Sequence, residues 1–172
     1  DSLTSVGDAF SIFEPGLIPP ALIPDNTDNT VDNNIEVTFA DDPDWQAAIQ
    51  NVYSDHILLS PATDYEIFNG KISLIPLSGN SSLTTAGSKT IRITALGYED
   101  NTVIQNILPG NIDTSNFSAR TLVKLYRNVT TDMEVIARDR FANNIKSFQF
   151  LYDIEVINKN TSTSEIYKVN GS

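Results

Sequence analysis

The sequence predicts a mainly β protein, an antiparallel sandwich-like fold with one short helix over about 43–52, and three observations carry that expectation. Short segments that alternate apolar and polar residues recur along the chain, the signature of half-buried strands. Asn69-Gly70 is the strongest hairpin signal, because a type I′ turn wants positive φ at both central positions. Helical spacing is clear in one place only, around Trp45.

Taken in order, residues 1–24 come first. Pro15, Pro19, Pro20 and Pro24 interrupt them every few positions, so an extended arm is expected. The arm is strongly apolar, and Phe10, Ile12, Phe13, Leu17 and Ile18 cannot all stand in water; some surface must cover them. A polar, turn-rich stretch over 25–30 follows, then a strand over 35–39 whose alternation is strict. Asp42, Pro43 and Asp44 read as a helix start: a side chain to accept orphan N–H groups, a proline at the first helical position, and an acid at the positive end of the dipole. Trp45, Ala48, Ile49 and Val52 then fall on one face.

Beyond the helix, strands are expected over 57–59, 65–68, 71–77, 89–95 and 101–107, with a break at Pro109-Gly110-Asn111. Further strands are expected over 121–126, 133–137, 147–157 and 165–169. In the third of these Phe148, Phe150, Tyr152, Ile154 and Val156 alternate with polar residues and Leu151, which marks a long antiparallel strand with one buried face. The expected division is an arm over 1–24, a β module over 25–108 and a β half-domain over 111–172.

Four ordered stretches carry a family likeness: residues 24–31 (PDNTDNTV), residues 35–42 with Trp45, Ala48 and Ile49, residues 69–72 (NGKI), and residues 91–100 (IRITALGYED). Over about 21–107 the chain resembles the hemoglobin-interacting domain family, common in cell-surface and surface-layer proteins of Gram-positive bacteria. The resemblance implies a small exported β-rich module with one helix, and some members bind hemoglobin. Trp45 as a helix anchor, Asp42 as a cap and Gly97 as the residue that permits a turn before Tyr98 each also have a plain packing or backbone role. Residues 112–172 more faintly resemble the end of a bacterial immunoglobulin-like domain, with fewer strands than a complete sandwich.

Charge and composition narrow the chemistry. With 22 acidic against 11 basic residues the net charge is -11, so nucleic acid and anionic membrane surfaces are excluded as partners. Cysteine is absent, which removes disulfides, thiolate metal sites and a thiol nucleophile. His56 is the sole imidazole, and its neighbours Ser54 and Asp55 point in different directions on a turn, so no catalytic triad is expected. There is no phosphate loop, dinucleotide fingerprint or nucleophile elbow, and neither a cofactor nor enzymatic activity is expected. Carboxylate pairs such as Glu99 with Asp100, or Glu134 with Asp139, are of a kind that any acidic β protein offers. Asp41, Asp42 and Asp44 are weak calcium candidates without the EF-hand order. Lys71, Lys89, Lys124 and Lys146 are candidates for an isopeptide cross-link if buried beside a carboxylate.

No stretch approaches the roughly 18 apolar residues of a membrane span. The first ten residues lack the basic and apolar regions of a signal peptide, and the composition suggests an exported chain from which a signal has been removed. An arm that needs cover and a C-terminal sheet short of a strand suggest a non-enzymatic extracellular structural protein. It would assemble head-to-tail into a surface filament or layer, with Phe10, Ile12, Phe13, Leu17 and Ile18 as the donated strand. The alternative is a surface module that captures hemoglobin or another host or matrix component.

Overall fold

Alternation decides which side of each strand enters the core. The computed structural model describes residues 16–116, 118–119, 135–146, 150–158 and 163–171. In chain order they begin with β1 (Ile35–Thr38), α1 (Pro43–Ala48), β2 (Ile49–Ser54), β3 (Ile57–Leu58), β4 (Tyr65–Phe68) and β5 (Lys71–Leu74). There follow α2 (Ser81–Thr84), β6 (Gly87–Ala95) and β7 (Asn101–Ile107). One antiparallel sheet has the order β1-β5-β4 and the other β3-β2-β6-β7. In the first, Ile35 and Val37 sit opposite Leu74 and Ile72 and all four are buried. In the second, Val52 sits opposite Ile93, with Ile91, Ala95 and Ile107 joining the same core. The two inner faces form a single apolar cluster, so this part of the chain is a mainly β, sandwich-like fold.

Trp45 is the largest wholly buried side chain. Its ring meets Phe39 edge-on, with centroids 4.9 Å apart and planes at 81°, a geometry that adds about 0.5–1.5 kcal/mol beyond area burial. Asp42 caps α1 as expected, accepting from the Trp45 N–H at 3.0 Å, and Pro43 opens the helix. The helix is shorter than the expected 43–52: it ends at Ala48, and Ile49 already has φ -58 and ψ 124. The apolar spacing through Val52 is real but is met partly by a strand. Ile49, Val52 and Tyr53 pair with Ala95, Ile93 and Arg92 on β6, and that ladder wins over extending a helix too short to hold itself. A second helical turn, α2, follows Asn80, whose side chain accepts from the Ser82 N–H. The strand expected over 71–77 ends at Leu74, and a 3₁₀ turn opens at Pro76.

The C-terminal region contains β8 (Ser118–Ala119), β9 (Val135–Arg138) and β10 (Asn144–Ile145) in the order β10-β9-β8. It also contains a hairpin of β11 (Phe150–Asn158) and β12 (Thr163–Gly171), in continuous antiparallel register from Phe150 opposite Gly171 to Asn158 opposite Thr163. The strand expected over 121–126, and Phe148, Lys124 and Glu134, lie outside the described residues.

A polar joint links residues 135–146 to the sandwich. The buried Asp139 carboxylate accepts from the backbone N–H groups of Gly110, Phe141 and Asn143, each at 2.9 Å. The Asn143 side chain in turn donates to the Thr84 carbonyl at 2.7 Å and accepts from the Ala86 N–H at 2.8 Å. Arg140 pairs with Asp32, which also takes the Asn111 N–H.

Candidate binding surface

Each sheet has two edges, and the chain treats the two sides of the sandwich differently. On one side lie β1 and β7, and the described part of the arm closes them. The Ile23 and Thr38 backbones exchange N–H···O bonds of 2.8 and 2.9 Å on the outer side of β1. Along β7, the Asn101 amide donates to the Pro20 carbonyl at 2.7 Å. The buried Gln105 exchanges bonds of 2.8 and 2.9 Å with the Asp25 backbone. Asn29 and Val31 bond to Leu108 at the strand's end. Further up the arm, the Leu17 N–H donates to Gly97 at 2.8 Å and the Glu99 N–H donates to Leu17 at 2.9 Å. A methyl group on Gly16 would stand 2.8 Å from the Glu99 nitrogen, so the arm lies against this loop as closely as a backbone can.

Of the residues expected to form an assembly interface, Leu17 is therefore attached to its own module through its backbone, and its side chain and that of Ile18 are 62% and 85% exposed. Phe10, Ile12 and Phe13 lie outside the described residues. Asp42 serves as the helix cap, Asp41 accepts from the Gln46 side chain at 2.7 Å, and Asp44 lies in the first turn of α1. Among the described residues no three carboxylate or imidazole side chains gather as a metal site would require.

On the opposite side, β3 and β4 have no further strand beside them among the described residues. They follow one another in the chain, joined by residues 59–64, and they carry Ile57, Leu58, Ile67 and Phe68 into solvent, Leu58 at 54% and Phe68 at 45% exposure. A depression of about 390 Å³ runs along β4, lined by Pro61, Ala62 and all four residues of the strand. Consecutive strand residues point to opposite faces, so lining by all of them means that the strand's edge, with its backbone N–H and C=O groups, borders the depression.

Asp64 holds this side in shape. Its carboxylate accepts from the Ser60 N–H at 2.9 Å, the Ser78 hydroxyl at 2.8 Å and the Asn80 amide at 2.9 Å, tying the 59–64 connection to the start of α2. Burial pushes the Asp64 carboxyl up, but these three donors outweigh it and the group lies below its ordinary value. The same balance holds at Asp25, where burial is offset by the N–H groups of Thr27 and Glu36 and the Thr27 hydroxyl.

His56 is exposed at the tip of the β2–β3 hairpin, beside Asp55 with φ 55. Ser54 is wholly buried, and Asp55 is tied to Thr90 and Lys89, so the three are not brought into a nucleophile–base arrangement. Asp100 pairs with Arg92 rather than with Glu99, and Lys71 pairs with Glu36. The open β3–β4 side is the feature that sequence reasoning missed. Its residues look like ordinary strand residues, and only the strand order, absent from any local pattern, leaves them at an edge.

The family model for the Hb-interacting domain of heme-binding protein Shr-like proteins matches residues 22–108, just over half of the chain. The chain belongs to this family. The match spans both sheets and the stretch of arm from Leu22 onward, so the Hb-interacting domain includes the segment that closes β1 and β7. No curated protein and no solved structure matches the chain. Among the described residues no helix is long and apolar enough to cross a membrane.

Proposed function

We propose that this chain is a non-enzymatic, cell-surface ligand-binding protein whose residues 22–108 capture hemoglobin. The family match over those residues carries the reading. The open side supports it: two strand edges that follow one another in the chain, with exposed apolar side chains and a shallow depression along β4, suit a broad protein surface. A filament subunit built by strand donation has less support, because residues 17–23 bond to Thr38, Gly97 and Glu99 of their own module.

The test is hemoglobin binding to the immobilised chain by biolayer interferometry, with serum albumin as a control. Leu58→Asp with Phe68→Asp is expected to weaken the complex at least tenfold, about 1.4 kcal/mol, as loss of central apolar contacts does. Leu17→Asp with Leu96→Asp, at two exposed apolar residues away from β3 and β4, is expected to leave affinity within about twofold. Hemin alone should leave its Soret band unmoved. Absence of any hemoglobin complex at tens of micromolar refutes the capture reading, whereas a complex lost only in the Leu17/Leu96 variant moves the contact to the arm.

A further inference from the structure

Where the Hb-interacting domain gives way to the C-terminal strands, the end of β7 and β10, an edge strand among the described residues, face each other across a cleft of about 620 Å³. Residues 106–110 border one side and residues 143–146 the other. Ile107, Leu108, Pro109 and Ile145 make its walls apolar. The Asn143 bonds to Thr84 and Ala86, and the Gly110 bond to Asp139, hold the two walls at a fixed separation.

The lining of this cleft is less acidic than the chain as a whole. With 22 acidic residues against 11 basic, carboxylates should edge most openings, yet among the described residues none lines this one: Asp139 and Asp32 stand behind Gly110, the first taking the Gly110 N–H and the second paired with Arg140, and Lys146 stands at the rim. Lys71, Lys89, Arg92 and Arg140 are paired with Glu36, Asp55, Asp100 and Asp32. Lys146 has no ion-pair partner among the described residues, and it is exposed. The side-chain amides of Asn106 and Asn144 add N–H donors within the same lining.

We propose that this cleft binds a small apolar carboxylate: an aliphatic tail or side chain lies against Leu108, Pro109 and Ile145, and the carboxylate meets Lys146 and the asparagine amides. A medium-chain fatty acid and the apolar C-terminus of a peptide share that chemistry. The site is separate from the open β3–β4 side and does not depend on hemoglobin capture.

The experiment is an amide NMR titration of the full chain with octanoate, with N-acetyl-leucyl-leucine and with octanol, following the backbone signals of Gly87, Gly110 and Ile145. Saturable shifts at these amides with either carboxylate, at least fivefold weaker in Lys146→Gln and restored in Lys146→Arg, are expected; the tighter of the two probes identifies the source. Octanol should bind at least fivefold more weakly than octanoate and be indifferent to Lys146→Gln. Shifts that are absent with both carboxylates, or unchanged by Lys146→Gln, overturn the proposal.

Discussion

Removing the Asp64 carboxylate tests whether one buried acid organises the open side. Its oxygens take three donors, and a hydrogen bond to a charged acceptor contributes about 1.5–3 kcal/mol net, so simple addition overstates the loss. Ser60 and Ser78 are exposed and recover water when the acceptor goes, whereas Asn80 is half-buried and recovers less. Asp64→Ala is therefore expected to cost about 2 kcal/mol, a fall in Tm of roughly 4–8 °C for a chain of this size. Asp64→Asn keeps one carbonyl oxygen for Ser60 and Asn80, and Ser78 can turn to accept, so less than half of that loss is expected at neutral pH. The two variants separate further in acid. The folded carboxyl titrates below its ordinary value of 3.8, so as the pH falls the unfolded chain binds the proton first. Its contribution is complete above about pH 5 and is lost on descending through the folded pKa. Urea unfolding between pH 3 and 7 should give a shallower acid limb for Asp64→Asn than for the parent. An Asp64→Ala variant within 0.5 kcal/mol of the parent, or an Asp64→Asn variant with an unaltered acid limb, refutes this account.

Trp45→Ala should cost about 3–5 kcal/mol in urea unfolding, since it empties the largest buried site in the core, and the parent's single tryptophan should emit as a buried one. Gly110→Ala places a methyl group 2.5 to 2.7 Å from the Asp32 carboxylate, which Asn111 and Arg140 hold in place; a loss of about 1–3 kcal/mol and faster hydrogen exchange over 108–112 are expected. Gln105→Leu should destabilise by about 1–3 kcal/mol despite its greater apolarity, because the Asp25 N–H and C=O lose their partners, and hydrogen exchange over 23–28 should quicken while β2 stays protected.

How much of this was legible in the sequence depended on the range of the interaction that decides each element. The Asp42 cap and the strands over 65–68 and 101–107 follow from local chemistry and stand where the pattern puts them, and so does the Asn69-Gly70 hairpin, although its turn is not the expected type I′: φ is positive at Gly70 (72°) and not at Asn69, so the glycine alone takes the left-handed position. The helix end does not, because Ile49 to Val52 suit a helix face and a strand alike and the partner that decides, β6, lies more than forty residues away in sequence. Gln105 is similar: a polar residue at an inward position of β7 has no local reason, and its reason is the backbone of Asp25. The α2 turn carried a start signal in Asn80, but four residues are too few for any periodicity to show. For the candidate site, Ile57, Leu58, Ile67 and Phe68 were visible as strand residues, while their exposure follows from an edge position that only strand order sets.

An unpaired strand edge beside apolar side chains is a liability for a soluble protein, so its persistence on one side calls for a reason. The chain has the means to cover an edge: residues 16–31 close β1 and β7, down to a buried glutamine matched to the arm's backbone. On the β3–β4 side it instead limits indiscriminate pairing. β3 is two residues long, Pro61 cannot donate a ladder bond, the Ala62 N–H occupies the Tyr65 carbonyl, and Glu66 places a charge on β4 itself. Each device obstructs a long flat strand from a second copy, yet none hides Leu58 or Phe68. A surface defended against strands but left open to side-chain contact suits a partner that presents a shaped, folded face, as a globular protein such as hemoglobin does, better than it suits polymerisation through this edge.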